Sequence, residues 1–90
     1  MNTNRINRPP TLKQAVIERL REDICRGYFQ PGQPLSEIKI SNLLNVSRGT
    51  LREALLELKD EYLIEFIPHK GFFLTKISPH KAWEIFLLEI

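Results

Sequence analysis

Between Ser36 and Leu58 the chain reads SEIKISNLLNVSRGTLREALLEL, and this stretch leaves few folds open. Its pattern is a helix from Ser36 or Glu37 to near Asn45, a tight turn at Asn45-Val46, and a helix from about Arg48 to Glu61. Asn tolerates the left-handed backbone that ends a helix abruptly. Ser47 supplies an oxygen that can accept from an orphan N–H of the next helix. Leu51, Ala54, Leu55 and Leu58 recur at i, i+3, i+4 and i+7, so one stripe of that helix is apolar. Ile40, Leu43 and Leu44 are expected to form the buried face of the preceding helix. Ile38 and Lys39 are expected outside, and Val46 plugs the turn from within.

The flanking segments read as support. Met1 to Pro10 is polar and ends in a proline pair, the composition of a disordered arm whose Arg5 and Arg8 can reach phosphates. Thr11 and Gln14 have the spacing of a capping box. Leu12, Val16, Leu20 and Ile24, with Ile17 beside them, predict the buried stripe of a first helix, and Gly27 ends it. Tyr28 to Leu35 is expected to be a loop anchored by Phe29 and Leu35, turned by Pro31-Gly32 and kept from helix by Pro34. Ile64–Ile67 and Phe72–Ile77 favour a pleated surface. With the four residues Pro68-His69-Lys70-Gly71 between them they predict a hairpin. A lone hairpin is marginal, so it must pack on the helices, through Phe66, Phe73 or Leu74. Ser78-Pro79 then opens a helix in which Trp83, Phe86, Leu87 and Ile90 share a face.

The expected fold is mainly α with a small β-hairpin: a winged helix-turn-helix of three helices plus wing, with the start of a fourth helix at the C-terminus. Residues 1–10 form an arm and residues 11–77 the folded unit. Residues 78–90 are a linker and the first helix of a missing effector domain or a dimerisation helix. Ninety residues suit one domain with one modest core. The lone Cys25 cannot close an internal disulfide, and no apolar run approaches the ~18 residues of a membrane span. A cytoplasmic location is expected.

With LSEIKISNLLNVSRGTLREALLEL and PHKGFFL on the page, the chain resembles the DNA-binding domain of the GntR family of bacterial transcription regulators, most closely its FCD subgroup. The signals are the Pro31-Gly32 turn, Leu35-Ser36-Glu37, VSRGTLREAL and a Pro-x-x-Gly wing. The resemblance implies ligand-controlled regulation from an inverted-repeat operator by a homodimer. It places the helix at 48–61 in the major groove and the wing at 68–71 in the minor groove. Ser47, Arg48, Thr50, Arg52 and Gly71 match the family's DNA-contact positions, and His69 and Lys70 occupy the wing tip. The chain departs from the pattern at Ile38, where many members have Arg, at Gly49, where Thr is common, and at Tyr62, where Gly is usual. A small-molecule effector would act only through a domain that follows Ile90.

The residues argue the same way without the family. A helix buried along one stripe, presenting Arg48, Gly49, Thr50 and Arg52 from its start, is shaped for a major groove. The net charge of +2 is too small to argue for nucleic acid by itself. Its placement argues more: Arg5, Arg8 and Lys13 near the start, Arg48 and Arg52 on one helix, Lys70 and Lys76 beside a glycine. Against this, Arg48 and Arg52 can be ordinary solvated charges with Glu53 and Glu57 as neighbours. Glu53 is expected to form a structural ion pair with an Arg on an adjacent element. A winged-helix module for protein–protein interaction is the alternative, because fold alone does not fix function. His69, His80 and Cys25 lack ligand spacing, and no phosphate loop, nucleophile elbow or catalytic carboxylate pair is present. No enzyme activity, metal or cofactor is expected.

Overall fold

The computed structural model describes residues 10–76. The expectations for the arm and for the helix after Ser78 lie outside that range. Within it the order is α1 (Leu12–Cys25), β1 (Pro34–Leu35), α2 (Glu37–Leu44), α3 (Arg48–Asp60), β2 (Ile64–Ile67) and β3 (Gly71–Leu74). Three helices and a three-stranded antiparallel sheet make a winged helix-turn-helix.

α1 begins with the anticipated capping box. The Gln14 N–H donates to Thr11 Oγ1 at 3.1 Å, and the Thr11 N–H donates to Gln14 Oε1 at 3.0 Å. It ends in a Schellman turn. Gly27 adopts φ +80, its N–H reaches the Ile24 carbonyl at 3.1 Å, and the Tyr28 N–H reaches the Asp23 carbonyl at 3.0 Å. The buried residues are Val16, Ile17, Leu20 and Ile24, whereas Leu12 is 59% exposed. Ile17 explains the difference. It shifts the centre of the stripe, and at roughly 100° per residue Leu12 lies about 90° away from that centre.

The same geometry corrects α2. Ile40 is buried and Leu44 half-buried, as anticipated, but Leu43 is 75% exposed. Ser41 takes the inner position instead, its hydroxyl donating to the Ile38 carbonyl at 3.0 Å. Leu43 falls about 110° from the centre of the inner face, too far round to pack. Ile38 and Lys39 are exposed as expected. Asn45 closes the helix at φ 55, ψ 48, and Val46 packs against the core.

α3 is the hub. Leu51, Ala54, Leu55 and Leu58 have no solvent exposure, and α3 packs against α1, α2 and β2. Two ion pairs on the periphery tie it to α1. Lys13 meets Glu57 at 2.7 Å, and the Arg21 guanidinium forks onto Glu61 at 2.6 and 3.1 Å. Donating to the carboxylate raises the pKa of each basic partner. Both pairs are solvent-exposed and add little stability beside the buried leucines.

The sheet has the order β1-β3-β2. The first strand was not anticipated: Pro34 pairs with Phe73 and Leu35 with Phe72, within what the sequence presents as a loop. Proline is tolerated there because β1 is an edge strand. The turn leading into it has Pro31 at i+1 and Gly32 at φ +80, closed by the Gln33 N–H on the Gln30 carbonyl at 2.9 Å. The wing turn repeats that plan, with Pro68, His69 at φ 67, and the Lys70 N–H on the Ile67 carbonyl at 2.9 Å. Ile67 pairs with Gly71, so the loop has three residues rather than four. β3 ends at Leu74, short of the expected Ile77.

Phe72, Leu74 and Ile64 hold the hairpin to the helices. Of the three anchors expected, Leu74 is buried, Phe73 half-buried and Phe66 42% exposed. Side chains alternate across a strand, so burying Phe72 and Leu74 turns Phe73 to the other face. Phe66 stands opposite Phe72 in the register, ring centroids 5.0 Å apart, and packs on that ring.

Tyr62, between α3 and β2, has φ 64 and is 86% exposed. A bulky side chain in left-handed backbone is strained, and this one has little burial to offset it. Tyr62→Gly is therefore expected to raise stability by about 1 kcal/mol, seen as a higher urea midpoint at unchanged m-value. A lower midpoint would show that Tyr62 makes a compensating contact.

Candidate nucleic-acid interface

Ser47, Arg48, Gly49, Thr50 and Arg52 all lie at the start of α3. Ser47 is the N-cap, with its Oγ accepting from the Thr50 N–H at 3.0 Å and its hydroxyl donating to Thr50 Oγ1 at 3.0 Å. Its direct part is thus structural: it fixes the axis on which the next residues are displayed. Arg48 is exposed and its guanidinium has no carboxylate partner among the described residues. Gly49 is exposed, and a Cβ built there meets only Ser47 Oγ, at 3.9 Å. Thr50 is half-buried and its own hydroxyl proton is not used by the Ser47 contact.

Arg52 lies one turn beyond Arg48 and faces the same way. It does not pair with Glu53 or Glu57. Its Nη2 lies 3.3 Å from Glu37 Oε2 on α2, and its guanidinium carbon lies 6.0 Å from the centre of the Phe72 ring on β3. One side chain therefore touches both the first helix of the motif and the wing. The ion pair expected of Glu53 with an Arg is not among those of the described residues; the pair from this helix to α1 is Glu57 with Lys13. Glu53 acts on Lys13 only through its charge.

His69 and Lys70 form the exposed end of the wing, and Gly71 beside them is half-buried. Gly71 has φ +105, a conformation open to glycine, and an added Cβ would meet nothing within 4 Å. That glycine serves the backbone rather than the space around it. A groove lined by Phe29, Leu35, Ile40 and Phe72 separates the wing from α2, and Lys39 and Lys70 stand on its walls.

The ion pairs sort the charges. Lys13, Arg19, Arg21 and Arg26 are each matched by a carboxylate along α1 or between α1 and α3. Among the described residues Lys39, Arg48, Lys59, Lys70 and Lys76 have no such partner; Lys39, Arg48 and Lys70 lie on α2, the start of α3 and the wing, whereas Lys59 is in the last turn of α3 and Lys76 follows β3. Three of these five lysines and arginines stand near the helix start and the wing. Lys39 and Glu37 received no role from sequence reasoning. The signal available for Glu37 was its place on the inner face of α2, which an apolar-stripe count passes over.

A capped helix displaying two arginines, held beside a hairpin wing, defines the winged helix-turn-helix class. The chain belongs to the GntR family: residues 12–74 match the profile of the bacterial regulatory proteins of the gntR family. It is 40% identical over 73 residues to YdfH, an uncharacterized HTH-type transcriptional regulator of Escherichia coli, covering 81% of this chain and 32% of that protein. It is 38% identical to RspR, an HTH-type transcriptional repressor of Escherichia coli, with the same coverage. A putative GntR regulator from Rhodococcus superposes at a TM-score of 0.71 with 33% identity, over 83% of this chain and 36% of that one. The Escherichia coli protein McbR shares the fold at a TM-score of 0.74 and 24% identity, over 89% of this chain and 38% of that one. The chain spans about a third of the length of the relatives it matches.

Proposed function

We propose that this chain binds double-stranded DNA in a sequence-specific manner, as the reading head of a bacterial transcription regulator. α3 enters the major groove with Arg48, Gly49, Thr50 and Arg52 toward base edges. The wing tip, His69, Lys70 and Gly71, lies in the adjacent minor groove. The observation that supports this reading is the exposure of Arg48 and Arg52 on a helix whose Leu51, Leu55 and Leu58 are wholly buried. A single module buries little area and binds weakly alone. Two copies acting on an inverted repeat place their reading helices about 34–36 Å apart, one turn of the duplex. A small-molecule effector acts through a separate domain, and no residue of this chain is assigned a catalytic role.

Selection of bound duplexes from a random pool tests the proposal. Recovery of an inverted repeat, bound with an affinity that falls steeply as salt rises, is expected, because each phosphate contact releases counterions. Recovery of no preferred sequence, or binding indifferent to salt, would overturn it and favour a protein-binding surface instead.

A further inference from the structure

We propose that Glu37 is a positioning residue for base readout by Arg52. The inference rests on the DNA-binding reading above. Glu37 occupies the first turn of α2, whose start is fixed by the Ser36 cap on the Lys39 N–H at 3.2 Å. Its side chain is only 16% exposed and is directed at α3, because residue 37 lies on the inner face of α2 with Ile40 and Leu44. A carboxylate in that position is carried for a reason other than solubility. It holds one guanidinium amine of Arg52 at 3.3 Å, while the Phe72 ring lies 6.0 Å from the guanidinium carbon.

An arginine free in solution samples many rotamers and reaches phosphates as readily as bases. Arg52 is restrained by a carboxylate and an aromatic ring at its first turns. The planar guanidinium has five N–H donors, and one contact with Glu37 leaves enough for a two-pronged bond to the O6 and N7 acceptors of guanine. Glu37 also offsets the charge of Arg52. The pair is then a poor generic phosphate ligand, and a guanine is favoured through geometry rather than charge. The carboxylate repels the DNA backbone, so it lowers affinity for unmatched sequence while raising discrimination.

Glu37→Gln is the test, measured on the whole chain with a duplex selected by the unaltered protein and with a scrambled duplex. Discrimination at the base pair read by Arg52 is expected to fall about tenfold. Affinity for the scrambled duplex is expected to rise, and the slope of log affinity against log salt to steepen by about 0.9 as Arg52 gains a phosphate. In an Arg52→Ala background, Glu37→Gln is expected to change discrimination no further, since coupled residues are not additive. If discrimination falls equally in both backgrounds, Glu37 acts only on the stability of α2 and the inference fails. Full discrimination retained by Glu37→Gln also overturns it, while leaving the DNA-binding reading intact. If the unaltered chain selects no sequence at all, both fall together.

Discussion

Leu55→Ala is expected to lower the stability of the fold by about 2–5 kcal/mol. Leu55 has no solvent exposure and sits in the helix that every other helix packs against. The cost combines lost transfer free energy with a cavity between α1, α2 and α3 that rigid neighbours cannot collapse. A domain of this size has a total stability on the order of 5–10 kcal/mol, so the loss is a large fraction of it. Urea unfolding followed by circular dichroism measures it. Leu56→Ala, at a position 41% exposed on the same helix, is the matched control and is expected to change the midpoint little. Equal shifts for the two variants would mean that the core is not where the structure puts it.

Arg52→Ala carries the second large effect, on binding rather than folding. Removing a two-pronged guanine contact is expected to cost about 1–3 kcal/mol of discrimination. Affinity for the matched duplex should drop roughly ten- to hundredfold, with a much smaller drop on scrambled DNA. Arg52 is 55% exposed but Glu37, which loses its partner, only 16%, so the fold is expected to lose about 1 kcal/mol as well. Titration against both duplexes, beside an unfolding curve, separates the two quantities. Equal losses on matched and scrambled DNA would show that Arg52 contacts phosphate and reads no base.

The helices were legible because helical periodicity and caps are local. Thr11, Ser36 and Ser47 each cap the helix that follows, and the i, i+3, i+4, i+7 leucines of α3 are all buried. The misplacements at Leu12 and Leu43 have one cause. A list of apolar residues does not give the angular centre of a face, and Ile17 and Ser41 move those centres. β1 was hidden for a different reason. Two residues with a proline carry no strand pattern, and their pairing with Phe72 and Phe73 is set by chain closure some forty residues away. Phe66, Phe72 and Phe73 are three plausible anchors by composition. The register puts Phe66 and Phe72 on one face and Phe73 on the other, and the strand order, with β3 central and β2 at the edge, then leaves Phe72 buried and Phe66 partly exposed.

The proposed contact residues were legible as a set because they cluster in VSRGTLRE and PHKG. What the sequence did not disclose is how the two clusters are linked. Arg52 bridges them through Glu37 on one side and Phe72 on the other, and that link joins three segments distant in the chain.

β3 lies between two neighbours, hydrogen-bonded to β1 on one edge and to β2 on the other. The finger that carries His69 and Lys70 is thus braced like a strut with a stay on each side. Its angle to the arginine-bearing helix is a property of the tertiary frame, and not of the hairpin. On the DNA-binding reading proposed above, a duplex presented to this frame meets a fixed span between reading helix and wing, and the distance between neighbouring grooves enters what is recognised.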